Sequence, residues 1–300
     1  MLSSSDVDAA IEAGRIASKA LLYGRARIRR DASLLEVTEQ VEAYIREQGA
    51  EPAFPVQMSL NDTAAHDVAR FKDQRILGED LVKLDVGVHI DGVIADNALT
   101  VDLSSRHRAV LDASKDALSA AMEKVKARRL IAETAQTIHD TILQARMRPI
   151  ANLSGHGLSR YTMHTSPQIP NIPIQSAERF ASGMHFAVEP FATDGYGRVR
   201  EQGDPELFAL KTTRNVRDLI ARRGLQIIRR YQGLPFCTRW LADEIGERRA
   251  EHTINTLMHE HMLHAYAPLV EVQGGMVSQH ERTLVIDADK VIVTTRWDLE

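Results

Sequence analysis

The sequence predicts a mixed α/β (α+β) fold on three observations. Apolar residues recur at helical spacing in two N-terminal runs, two apolar runs meet at an Asp-Gly pair, and the order of helices then strands returns in the second half.

The first helix begins near Asp6, with Val7, Ala10, Ile11, Ala17 and Leu21 on one face. A second starts at a capping box, Ser33 with Glu36, and runs through Val37, Val41 and Ile45 to Gly49. Residues 81–88 and 93–101 read as buried strands, and Asp91-Gly92 between them is a strong hairpin signal. Helices follow within 109–125 and 133–147. The glycine-bearing stretch 152–157 reads as a loop that presents His156, and an apolar strand ends at Glu189-Pro190. Residues 281–286 and 291–295 form a last hairpin through 287–290. Between Gly203 and about Pro268 the chain turns charged and helical, with Arg217, Arg222, Arg223, Arg229 and Arg230 prominent.

Composition narrows the function classes. Lys plus Arg is 37 and Asp plus Glu 41, a formal net charge of −4 over 300 residues. So weak an acidic excess argues against nonspecific nucleic-acid binding as the main task, because phosphate contacts need a concentrated basic surface. A single cysteine, Cys237, excludes an intrachain disulfide framework and is expected to be a small buried hydrophobe in a reducing compartment. The opening Met1-Leu2-Ser3-Ser4-Ser5-Asp6 lacks the charge and apolar core of a signal peptide, and no apolar run approaches the roughly 20 residues of a membrane span. A cytoplasmic protein is expected.

Four carboxylates and one imidazole stand in short apolar or glycine-bearing settings: Asp85, Asp96, His156, Glu189 and Glu281. Folding back at Asp91-Gly92 brings Asp85 and Asp96 side by side, where two ionised groups repel and lose hydration unless cations compensate. Taken singly, each residue has a bland alternative, such as a solvated strand end or, for Glu281, an ion pair with Arg282. Together they favour metal. Oxygen ligands with one imidazole suit Mn, Fe, Co or Zn better than Ca or Mg. The carboxylate count implies two ions, which at roughly 3.5–4 Å apart would hold a bridging hydroxide and polarise a carbonyl.

These residues, with Ile169-Pro170-Asn171, Phe54-Pro55, 61–66 and 160–164 in the same order and spacing, resemble the methionine aminopeptidases of type II in their short archaeal form. The likeness runs from about Asp6 to Thr295. It implies the pita-bread fold, two pseudo-symmetric halves around a curved antiparallel sheet, with a catalytic domain at 1–202 and 269–300 and a winged-helix-like insertion at 203–268. It implies removal of the initiator methionine from nascent polypeptides by a monomeric enzyme, with the insertion's arginines as a possible ribosome contact or simply a solvated face.

Residue roles are carried over from the same resemblance. Asp85 would clasp one ion, Asp96 and Glu281 would bridge both, and His156 with Glu189 would complete the second. Glu189 would also shuttle the proton, His66 and His164 would meet the scissile carbonyl and amide, and Phe54, Met163 and Phe191 would line the pocket for the methionine side chain. One departure stands out: His280 precedes the ligand Glu281 where the family more commonly has an aromatic residue, so it either supports the ligands or points to solvent. An Xaa-Pro aminopeptidase is the enzymatic alternative, against which the insertion and the setting of His66 argue. A non-hydrolytic relative that binds RNA or protein is the other; such relatives typically lose metal ligands.

Overall fold

A computed structural model describes residues 4–297; Met1, Leu2 and Ser3 of the opening segment and the last three residues lie outside the described residues. Helix α1, Ser4–Arg25, lies against the long hairpin of strands Leu81–Ile90 and Val93–Asp102. Helix α2, Leu34–Glu47, is capped by Ser33, whose Oγ accepts the Glu36 N–H at 3.3 Å, and it buries Leu34, Val37, Val41 and Ile45. The capping residue and apolar stripe read from the sequence are thus the ones used.

The hairpin closes as its turn residues require. Ile90 pairs with Val93, and Asp91 and Gly92 both adopt positive φ, 47° and 83°, the geometry a two-residue turn of matching twist needs. On its other edge, Leu81–Ile90 pairs with Gln57–Leu60 and Glu51–Pro52.

The second half repeats the order. Helices α3, Arg108–Lys124, and α4, Ile131–Gln144, pack together. They precede a five-stranded antiparallel sheet whose central member is His185–Val188, between Arg282–Asp287 and Ser154–Ser159. Lys290–Val293 and Thr162–Pro170 are its edges. The expected loop at His156 is in fact part of the strand Ser154–Ser159. Its glycines serve close packing: a Cβ at Gly155 would run into the Ala187 carbonyl oxygen, and one at Gly157 into that of Ser166.

Residues 207–266 build a second core, which Val68 of the first half joins. Helices α5, Leu219–Ile228, α6, Thr238–Ile245, and α7, Glu247–His259, pack through Leu225, Ile228, Trp240, Leu241, Ile254 and Leu257. Leu207–Leu210 pairs with both Phe236–Cys237 and Leu263–Tyr266 to make a three-stranded sheet. Arg217, Arg222, Arg223, Arg229 and Arg230 are all exposed, while Cys237 is fully buried, its thiol pushed up to about 12 by loss of solvent. Among the described residues no helix is long and apolar enough to cross a membrane.

Candidate metal centre and active site

The hairpin register fixes the first two carboxylates. Asp85 stands opposite Ala98 and Asp96 opposite Gly87, so the pair shares one face as diagonal neighbours, not directly side by side as the turn alone had suggested. Both are buried, at 9% and 3% exposure. His156 comes from the sheet of the other half; its Nε2 lies 3.9 Å from Asp96 Oδ2 and 3.5 Å from Glu189 Oε1. Glu189 follows the strand His185–Val188 at the Pro190 break, and Glu281 precedes the strand Arg282–Asp287. Glu281 is 1% exposed, which removes the rim ion pair with Arg282 as an explanation for it.

Gln279, which the sequence reading passed over, sits among them. Its Nε2 donates to Glu281 Oε2 at 3.2 Å and reaches Glu189 Oε2 at 3.4 Å. Two residues before Glu281, it occupies a position that strand periodicity would have placed on the ligand's side.

The electrostatics ask for cations. Burial pushes Asp85 up to about 7, and burial with the charges of neighbouring carboxylates holds Asp96, Glu189 and Glu281 well above the usual carboxylate range. Asp85 Oδ1, Asp96 Oδ1 and Glu281 Oε1 are buried without a hydrogen-bond partner. Ligand atoms of Asp96, His156 and Glu281 lie within 4.8 Å of one another. Burial takes His156 down to about 3, keeping its imidazole neutral with a lone pair to offer. Orphaned carboxylate oxygens around a neutral imidazole fit divalent metal and explain why so many acids can share one buried site.

All five residues line a cavity of about 320 Å³, and Phe54, Met163, Phe191, His66 and His164 line it too. Each predicted site residue is therefore in one place. Phe54 and Met163 share an apolar cluster with Ile94 and Leu158, and Phe191 packs with Ile150 and Val277. His164 meets His156 edge to face, ring centres 4.4 Å apart. His66 and His164 both adopt positive φ, 65° and 56°, uncommon for a residue with a Cβ and concentrated at functional sites. Nothing in the sequence signals this. Tyr266 and Leu207, from residues 207–266, complete the wall and were also missed.

His280 is fully buried, not turned to solvent; its Nδ1 lies 2.7 Å from Ser114 Oγ, and its ring centre is 6.1 Å from that of Trp297. It is a packing and hydrogen-bonding residue beside Glu281.

The family model of metallopeptidase family M24 matches residues 8–228. The chain is 43% identical over 288 residues to the methionine aminopeptidase of Archaeoglobus fulgidus, covering 95% of this chain and 97% of the relative. To that of Pyrococcus abyssi it is 40% identical over 293 residues, covering 97% and 99%. Among solved structures, methionine aminopeptidase from Thermotoga maritima gives a TM-score of 0.73 at 19% identity, covering 99% of this chain and 98% of that one. A thermophilic Arx1 gives 0.86 at 13%, covering 99% and 93%. Prolidase from Pyrococcus furiosus gives 0.63 at 17%, covering 99% of this chain and 65% of that one. At such identities the solved structures speak for the fold, the pita-bread arrangement. The chain belongs to metallopeptidase family M24, among its methionine aminopeptidases of type II.

Proposed function

We propose that this chain removes the initiator methionine from nascent polypeptides by hydrolysis at the cavity lined by Asp85, Asp96, His156, Glu189 and Glu281. One observation carries the reading: three buried carboxylates, the mostly buried Glu189 and a neutral imidazole converge on a cavity of about 320 Å³.

The donor set is divided between two divalent ions, with Mn, Fe, Co and Zn as candidates. Asp85, Asp96, His156, Glu189 and Glu281 would hold the ions through their carboxylate oxygens and the neutral His156 imidazole. When bound, such ions would lower the pKa of a water in the cavity and polarise the scissile carbonyl. Glu189 accepts the water's proton and returns it to the leaving amine, and Gln279 holds Glu189 and Glu281 in register through its amide.

The histidines divide the remaining work. His66 Nδ1 lies 3.3 Å from the Ala267 carbonyl oxygen, which can only accept, so the proton sits on Nδ1. Burial takes the ring down to about 4, so it is neutral at pH 7 and presents a lone pair at Nε2. That lone pair accepts the substrate's amide N–H. His164 donates to the scissile carbonyl oxygen, a contribution of about 3 kcal/mol to the transition state for one well-placed donor. Phe54, Met163 and Phe191 receive the methionine side chain, whose thioether suits aromatic and sulfur contacts.

The second core, built mainly from residues 207–266, supports a division into a catalytic domain, 1–202 and 269–300, and an insertion subdomain, 203–268. The exposed arginines of that subdomain offer a contact to ribosomal RNA near emerging chains, with the enzyme acting as a cytoplasmic monomer. Release of the first residue from Met-Ala-Ser, against Ala-Pro-Ser, by the metal-loaded protein tests the reading. Cleavage of the methionyl peptide alone supports it; cleavage of Ala-Pro-Ser alone assigns an Xaa-Pro aminopeptidase instead.

A further inference from the structure

The strand Val93–Asp102 and the chain at 279–283 run antiparallel across the join between the two halves, yet much of their hydrogen bonding is indirect. Asp96 N–H donates to Thr283 Oγ1 at 2.8 Å, and the same hydroxyl donates back to the Asp96 carbonyl at 2.7 Å. At the far end the arrangement is reversed. Gln279 N–H donates to Thr100 Oγ1 at 2.9 Å, and that hydroxyl donates to the Gln279 carbonyl at 2.8 Å. Midway between them, Glu281 N–H donates directly to the Ala98 carbonyl at 3.0 Å.

Two threonine hydroxyls therefore stand where direct backbone bonds would otherwise draw the strands together. Each satisfies both the N–H and the C=O of one residue on the opposite strand, which a single hydroxyl does by accepting and donating at once. The residues so held are Asp96, a predicted ligand, and Gln279, whose amide holds Glu281 and Glu189. Thr100 and Thr283 are themselves buried, at 4% and 0% exposure, so water does not readily take their place.

We propose that Thr100 and Thr283 are positioning residues that set the spacing between Asp96 and Glu281, and so the separation of the two ions. The proposal rests on the two-ion reading given above. Removing either hydroxyl leaves an N–H and a C=O buried without partners, and the strands respond by closing or by admitting water. Either response shifts Asp96 against Glu281, and ligands must be held within about 0.5 Å of productive geometry.

The test is calorimetric titration of metal-stripped wild type, Thr283→Val, Thr283→Ser and Thr100→Val with Mn, each checked for a cooperative melt and assayed on Met-Ala-Ser. The expected result is that one ion binds to each valine variant much as in wild type while the second binds at least tenfold more weakly. Turnover falls with KM little changed, and serine restores both. Valine variants that melt cooperatively and bind two ions as wild type does would overturn the proposal, as would a serine variant as impaired as valine. Should Thr283→Val fail to fold, Thr100→Val decides on the same criteria. Wild type that takes up no ion would overturn the two-ion reading as well, whereas unchanged valine variants beside a two-ion wild type would overturn this inference alone.

Discussion

Arg239 of α6 closes on Glu42 of α2 with two hydrogen bonds, 3.1 Å from Nη1 and 2.7 Å from Nη2, in a pair that is 2% exposed on both sides. Trp240 Nε1 adds a third at 2.8 Å to the same carboxylate, and Val56 N–H a fourth at 3.3 Å. This is one tie between the first half of the molecule and residues 207–266, which supply Leu207 and Tyr266 to the cavity; Lys72–Glu247 and Arg46 over Trp240 are others.

Glu42→Gln leaves the Arg239 charge buried and uncompensated, so it is expected to cost about 3 kcal/mol of stability. Denaturant unfolding of metal-stripped protein measures this. Because the same contact seats one wall of the cavity, KM for Met-Ala-Ser should rise more than kcat falls. A variant as stable as wild type contradicts the role.

Gly87 faces Phe54 so closely that an added Cβ would run into the ring. Gly87→Ala therefore pushes Phe54 into or away from the pocket. The expected outcome is a several-fold or greater rise in KM for methionyl peptides, read by steady-state kinetics; a metal titration beside it separates this from any shift of Asp96, which Gly87 faces across the hairpin. An unaltered KM removes Phe54 from the pocket wall.

Asp85 is pushed up to about 7, and burial with neighbouring carboxylate charge holds Asp96, Glu189 and Glu281 well above the usual carboxylate range, whereas unfolded carboxylates titrate near 4. Between these limits the folded, metal-stripped chain holds more protons than the unfolded one. Its stability from these groups is full below about pH 4 and is lost as pH rises through 7, by up to about 1.4 kcal/mol per pH unit for each proton released. Melts of stripped protein from pH 5 to 8 should show this decline, shallower in Glu281→Gln and reversed by added Mn or Zn. A stripped protein that gains stability over that range in step with the metal-loaded one contradicts the clustering.

Cys237 combines full burial with a thiol pushed up to about 12. Reaction with a disulfide reagent at pH 8 should be slow in the folded protein and rapid in denaturant, since the thiolate is the nucleophile. Immediate labelling of native protein contradicts the packing.

The readable parts of the chain were those with strictly local causes. Ser33 with Glu36 and Asp91-Gly92 gave a helix start and a hairpin that the structure reproduces. From that hairpin two carboxylates followed on one face. His156 was placed in a loop because glycines on both sides read as freedom, when their cause is the approach of the Ala187 and Ser166 backbones from distant sequence. The Glu42–Arg239 pair went unread because each residue's partner lies in a distant part of the chain. The two-residue strand Phe236–Cys237 is too short to show a period. The positive φ of His66 and His164 has no local sequence signal such as a glycine.

The central claim, that these buried acids are a two-ion hydrolytic centre for methionyl peptides, is tested most directly by methionine release from Met-Ala-Ser as metal-stripped protein is titrated with Mn, Fe, Co or Zn. The account predicts no release before metal, a rise on addition, and a plateau near two ions per chain. Release undiminished by stripping, or silence with every metal, would contradict it.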